Sequence, residues 1–391
     1  MPEHGLELLV LVDLIAGAAC ERGAGERKLA RTFLALLAVG AAAAIVTGSA
    51  AAGPPAVHVV ATNLNNPRKL FVASDGTVYV AEAGSGGTSC FTSGSSKTCT
   101  GSSSSVTEIA NGRQRRVVTG LPSAASTDGS DAEGAAAVIV ANGRYDVLLG
   151  NGRVGKDKAS KTEITGDLIT TPAGKVDAKV LANFGAFEAA HNPDHGAGPG
   201  AAAGDPPLDS NPYAMVAYRG GYAVVDAAGN DLLWLSPRGK LSVLAVFPTQ
   251  VEHGIKVQSV PSSVAVGPDG ALYVGELTGY PFEVGKARVW RVAPGGKPTV
   301  YASGFTNISD LAFDGRTLFV LEIAAKGLRD IGSPGALIRV TASGKRSVIL
   351  SSGLSAPTGL AIHDGTAYVS NHGTSPAKGK GDHGEVISFE L

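Results

Sequence analysis

Short apolar runs recur along this chain, and most of them end on an acid or an amide. Glu82 closes TVYVAE, Asp226 lies at the end of YAVVDA, Glu276 closes ALYVGE, Glu322 closes TLFVLE and Asn371 closes TAYVSN. The run YDVLLG ends instead on Gly150, with Asn151 next. Asn66, Arg68, Asn211, Asn307 and Asp310 stand at the starts of neighbouring runs. If each run is a strand delivered to one common mouth, these side chains form the candidate ligand-binding set. Hard cations such as Ca²⁺ take six to eight oxygen ligands, so Glu82, Asp226, Glu276 and Glu322 are the candidate metal ligands. Carboxylates gathered this closely raise one another's pKa unless a cation or an arginine offsets them, and Arg68 is the candidate for that role. The same residues fit two other readings. They can cap backbone N–H groups and bridge adjacent repeats, or they can form a catalytic cluster.

Other constellations are thinner. His191 and His195 flank Asn192-Pro193-Asp194, but a zinc site needs further placed ligands. His372 and His383 border a late loop and could do acid–base work. Asp209-Ser210-Asn211-Pro212 reads as a turn, and Asn307-Ile308-Ser309 is a formal glycosylation sequon. The chain contains no Gly-x-Ser-x-Gly elbow, P-loop or Rossmann fingerprint.

The elements that would position these residues are strands. Residues 261–305 hold four Val-, Ala- and Tyr-rich runs, SVAVG, ALYVGE, ARVWRVA and PTVYASG. Such residues suit half-buried strands, and the Asp269-Gly270 and Gly295-Gly296 turns suit hairpins. The unit repeats. Asp75-Gly76, Asp314-Gly315 and Asp364-Gly365 occupy the first turn elsewhere, and Asn111-Gly112, Ala173-Gly174, Arg238-Gly239 and Ser343-Gly344 the second. Repeats of four short strands predict an all-β, six-bladed β-propeller. The last unit has three strands, ending in GEVISFEL, while VHVVATNL at 57–64 matches a fourth strand. The N-terminal strand is therefore expected to complete the last blade. The unit over 124–192 is the least regular. The long segments 84–104, 151–165, 277–286, 323–334 and 371–384 all join second to third strands, and 183–211 and 248–260 join blades. One face of the ring should carry them all, and elaborated loops on a rigid scaffold are where binding sits.

Of the 391 residues, 44% are hydrophobic and 17% charged, with 53 glycines and 21 prolines, which fits a turn-rich β protein. The first 52 residues read as an export segment. Arg27, Lys28 and Arg31 precede an apolar run over 33–46, and Ala51 or Ala52 offers a cleavage point. Residues 1–25 look like an over-extended start, and Cys20 follows a weak lipoprotein-like Gly17-Ala18-Ala19. A cleaved chain over 53–391 would be secreted or extracytoplasmic, without stable membrane insertion. Basic and acidic side chains then balance at 29 each, which argues against nucleic acid as a partner. In an exported chain, Cys90 and Cys99 read as a disulfide.

The stretches NPRKLFVASDGTVYVAEAG, LDSNPYAMVA, VVDAAGNDLLWL, VPSSVAVGPDGALYVGELTGYPF and VYASGFTNISDLAF resemble the ScyD/ScyE family of secreted bacterial six-bladed propellers with NHL-like repeats. The likeness spans residues 57 to 391, and GELTGYPF and AGNDLL are its most specific parts. It implies a six-bladed, exported fold and brings no established reaction. A second resemblance is to the gluconolactonase, senescence-marker and paraoxonase group, whose channel metal would imply lactone or ester hydrolysis. That group starts its first blade with a metal-binding Glu, where this chain has Asn66-Pro67-Arg68. The expectation is therefore a monomeric scaffold that binds a small molecule or an extracellular protein through its loop-rich face. The alternative is a divalent-metal-dependent hydrolase.

Overall fold

The computed structural model describes residues 55–93, 96–151, 166–196, 208–330, 332–374 and 383–391. Residues 1–52, read above as an export segment, and Cys20 within them lie outside the described residues. Six sheets stand around one axis, each carrying an antiparallel four-strand meander, and Gly174–Lys175 adds a short parallel strand to the first. Their innermost strands are Pro67–Val72, Ala135–Ala141, Pro212–Tyr218, Pro261–Val266, Ile308–Asp314 and Gly359–His363, for blades one to six. Each packs beside the next, and the sixth packs beside the first. The fold is a six-bladed β-propeller.

Closure follows the expected route. His58–Leu64 pairs antiparallel with Gly384–Glu390, so the sixth sheet is built from both ends of the chain. The apolar core is a ring of layers between blades. Leu64, Val80, Ile109 and Val386 fill the layer between blades six and one, where the ring closes. Val118, Val138 and Val147 fill the next, and Phe305, Ile308 and Leu318 the layer between blades four and five. Alternation along each strand supplies both layers from one sequence.

The segment 84–104 departs from the expected loop. Ser89–Ser93 pairs with Ser96–Ala110, which continues as a long hairpin with Arg113–Ser126. Thr98, Thr100 and Val106 are β-branched, and hairpin pairing extends the third strand beyond the blade. Cys90 and Cys99 are direct cross-strand partners, bridged with their Cα atoms 3.9 Å apart. The glycines allow chains to touch: a Cβ on Gly87 would lie 2.4 Å from the Thr100 carbonyl oxygen. Between blades two and three, Phe184–His191 forms a short helix, capped by Asn183 Oδ1, which accepts the Ala186 N–H at 2.5 Å. Among the described residues no helix is long and apolar enough to cross a membrane. The disulfide is consistent with an oxidising compartment.

Leu64 is fully buried in the closing layer. Leu64→Ala should therefore destabilise the ring by about 2–5 kcal/mol in denaturant titration. A loss below about 1 kcal/mol, the cost of an exposed change, would place the closing strand outside the cooperative unit.

Candidate functional site

The inner strands share a device. In blades one to five the register slips where the strand enters the ring: after Pro67, Ala135, Pro212, Pro261 and Ile308. Such a bulge opposes two residues to one and re-aims a side chain. The residues at the slips are Arg68, Ala136, Tyr213, Ser262 and Ser309, and Thr358 holds the equivalent place in blade six. All six line one cavity of about 190 Å³ at the channel mouth. Three of the five slips follow a proline, which has no N–H to give to the ladder. The cavity opens on the face that carries the inter-blade connections, since Asp131, Glu133, Asp209 and Val260 also line it.

The lining divides in two. Arg68, Asp131, Glu133, Asn151, Asp209 and Asn211 come from blades one to three and their connections. Ala227, Val260, Leu277, Ile323 and Leu328 make the other side and belong to one apolar cluster with Phe282. On the polar side, Arg68 donates to the carbonyls of Ala132 (2.5 Å) and Gly373. Asn151 donates to Glu133, and its own N–H donates to Asn211 Oδ1 at 2.9 Å. Burial pushes the Glu133 carboxyl up, with Asn151 and the Arg68 charge pulling it back. Asp209 is raised to about 7, chiefly by burial, with Asp226 and Glu133 adding repulsion against the Ser210 N–H. The cavity thus holds two carboxyls that keep their protons to higher pH than free acids do.

Beside this cavity, Lys69 crosses the channel. Its ammonium lies 3.3 Å from Asp310 Oδ1, donates to the Ser309 carbonyl and sits 5.1 Å from the Tyr213 ring centroid. Asp310 also accepts the Leu360 N–H at 2.8 Å. One buried ion pair therefore joins blades one, three, five and six. Burial raises Asp310, and Lys69 opposes the rise.

The acids and amide that end the second strands do not line this cavity. Residues 83, 227, 277 and 323, one step further on, do. Successive side chains on a strand face opposite ways, so a one-residue step moves the whole set. Glu82 turns across its blade, accepting from Arg116 Nε and Nη2 (3.0 and 2.7 Å), Ser105, Thr107 and the Asn65 N–H. Glu276 does the same with Arg288 (2.8 Å twice), Trp290 Nε1 (2.7 Å) and Ser259. Asp226 accepts the Asn211, Ala228 and Gly229 N–H groups and the Ser210 hydroxyl. Glu322 accepts the Thr306 N–H at 2.7 Å, and Asn371 the Ser355 N–H at 2.7 Å. Each holds the connection that enters its own blade. Asn66 and Asn307 add similar staples, donating to Gly84 and Gly129 and to Leu277.

The remaining candidates are dispersed. His191 stacks on Phe187 at 4.2 Å, with Nδ1 at the Phe187 carbonyl. His372 lies 3.7 Å from Glu385, and His383 begins the last strand's approach. Among the described residues, no three His, Cys, Asp or Glu side chains are grouped so that they alone could hold a metal ion. Arg68 was singled out from the sequence, whereas Lys69, Glu133 and the other bulged residues were not. Their signal was the residue after the blade-opening proline, in Pro67-Arg68, Pro212-Tyr213, Pro261-Ser262 and Pro357-Thr358.

Comparison with known proteins places the fold. No protein-family model matches the chain, and no curated protein matches it by sequence. A protein described as an oxidoreductase (glucose dehydrogenase) from Thermus thermophilus superposes with a TM-score of 0.50 at 16% identity, covering 86% of this chain and 99% of its own. Regucalcin from Agrobacterium tumefaciens, a calcium-binding protein, gives 0.49 at 12% identity over 86% and 94%. Virginiamycin B lyase from Staphylococcus aureus, bound to quinupristin, gives 0.47 at 14% identity over 86% and 100%. At these identities the likeness is one of architecture, and function has to be argued from the site.

Two tethers make a contrast. Glu276→Gln leaves the Arg288 guanidinium facing an amide and should cost about 3–5 kcal/mol. Glu322→Gln keeps an acceptor for Thr306 and should cost about 1 kcal/mol or less at pH 7. Burial raises Glu322 from 4.5 to about 7, against the Thr306 N–H and the Arg346 charge. The folded state therefore holds this proton more tightly than the unfolded chain does. That stabilisation is complete below pH 4.5 and lost as pH rises through 7. Unfolding free energies from pH 4 to 8 should show this fall in the wild type and a flatter profile in Glu322→Gln. Identical profiles would remove Glu322 as its source.

Proposed function

We propose that this chain is an exported propeller of the ScyD/ScyE type that binds a small amphipathic molecule in the channel mouth and does no chemistry on it. The carrying observation is the divided cavity, with its six re-aimed side chains, polar on one side and apolar on the other. Ligand sites are typically concave, largely apolar and supplied with a few placed polar groups. A ligand would lay its apolar body on Val260, Leu277, Ile323 and Leu328. Its hydroxyl or amine donors would meet Glu133, Asp209 and Asn211. Of the two stretches most specific to the ScyD/ScyE resemblance, GELTGYPF supplies Leu277 to the lining and Phe282 to the apolar cluster behind it. Secretion rests on the N-terminal sequence and agrees with the disulfide.

The metal-dependent hydrolase reading is less well supported, because Arg116 and Arg288 already compensate Glu82 and Glu276. Those tethers would have to break before either could serve a metal.

Ala136 lines the cavity and gives up no side-chain hydrogen bond on replacement. Native mass spectrometry of the exported protein against a panel of small hydroxylated and amine-bearing aromatics should find a retained compound. Ala136→Leu should lose it while keeping the wild-type melting temperature within a few degrees. Retention at equal affinity by Ala136→Leu would move binding off the channel mouth. Turnover of lactones or aryl esters that disappears in the Glu82→Gln, Glu276→Gln, Glu322→Gln triple variant would overturn the non-catalytic reading.

A further inference from the structure

A second group of acids lies between blades two and three, where no arginine or lysine among the described residues answers it. Asp226 and Asp231 are direct cross-strand partners at the ends of the second and third strands of blade three. The turn between them is Ala227-Ala228-Gly229-Asn230. The helix Phe184–His191 brings Glu188 onto this turn: its Oε2 would be 3.3 Å from a Cβ placed on Gly229, as would Asp226 Cγ. Beyond the helix, Asn192 takes the left-handed conformation (φ 43°), and the chain doubles back through Asp194. Asn230 Nδ2 donates to Asp194 Oδ2 at 3.0 Å and so ties the two segments together.

The acceptors outnumber the donors. Asp226 is satisfied by three backbone N–H groups and Ser210. Asp231 is 0% exposed, and neither of its carboxylate oxygens has a hydrogen-bond partner among the described residues. Glu188 is 2% exposed with Oε1 likewise unpartnered, and Asn192 Oδ1 is a third buried acceptor without a donor there. The charges that act on Asp231 are those of Asp226, Glu188 and Asp194, and those on Glu188 are Asp194, Asp226 and Asp209. All are carboxylates. Burying one uncompensated carboxylate costs several kcal/mol, and burying several together costs more.

We propose that a hard divalent cation of the Ca²⁺ class binds between the helix Phe184–His191 and the turn after Asp226, held by the oxygens of Glu188, Asp231 and Asn192, with Asp194 and Asp226 supporting it. Every unpartnered atom is an oxygen, which suits Ca²⁺ and disfavours zinc or copper. Two carboxylates and an amide leave coordination positions for carbonyls and water, as Ca²⁺ sites use. The site shares Asp226 with the blade tethers but none of Glu82, Glu276 and Glu322. It adjoins the channel-mouth cavity through Asp209, whose carboxylate acts on Glu188. The cation would fix the linker after blade two onto blade three. This stands whether or not the cavity binds an organic ligand.

The test is calorimetric titration of the purified full chain, stripped with chelator, using CaCl₂ alone and MgCl₂ alone, with melting curves in both. One Ca²⁺ per chain, bound more tightly than Mg²⁺, with a raised melting temperature is expected. Asp231→Asn and Glu188→Gln should each weaken Ca²⁺ by about 100-fold. Should those variants fail to fold, Asn192→Gly keeps the left-handed backbone and removes only the amide, and it should weaken Ca²⁺ by about 10-fold or more. No stoichiometric Ca²⁺ uptake by the wild type would overturn the proposal. So would tighter Mg²⁺ binding, or wild-type Ca²⁺ affinity in Asn192→Gly.

Discussion

A propeller is a sheet-built ring, and here one antiparallel ladder makes it a ring at all. The pairing of His58–Leu64 with Gly384–Glu390 supplies the sixth blade's outer strand and sets the layer of Leu64, Val80 and Val386 beside it. Without that ladder the inner strands of blades six and one would have no reason to meet, and the bulged residues would not share a mouth. The tethers act within this frame. In five of the six blades the second strand ends on an acceptor that holds the connection entering its own blade, so those inner strands enter the ring in the same way.

Much of this was legible in the chain because it is local and repeated. Alternating Val, Leu and Tyr fix strands, Asp-Gly and Gly-Gly fix turns, and the unmatched fourth strand at the N-terminus fixes closure. The same repetition misdirected the reading of the site. Glu82, Glu276 and Glu322 recur visibly, yet recurrence marks what every blade needs, which is a tether for its own entering connection. What differs from blade to blade carries the binding surface. Arg68, Ala136, Tyr213, Ser262, Ser309 and Thr358 share a position and almost no chemistry, and the proline before four of them is the one local mark they carry. Bulge geometry, which depends on pairing across the blade, decides where they point.

Long-range partners were equally out of reach. Lys69 and Asp310 meet across the channel from blades one and five, and nothing near either residue foretells the other. The segment 84–104 looked like a loop because Gly and Ser dominate it. Its strand character comes from pairing with Arg113–Ser126 and from close backbone approach at Gly87 and Gly101. The acids around Asp231 were visible singly, as the AGNDLL turn and the segment over 191–195. Their meeting depends on where the helix Phe184–His191 packs.

The closing ladder also imposes an order of events on the chain's making. Blades one to five are each contiguous in sequence and can form as they emerge, but the first strand must wait for a partner more than 300 residues downstream. Until Gly384–Glu390 appears, His58–Leu64 has an unpaired edge and Val386 has not covered Leu64. A chain still being synthesised therefore cannot lock. Its last step is a single docking of head on tail, available only once both strands have been made.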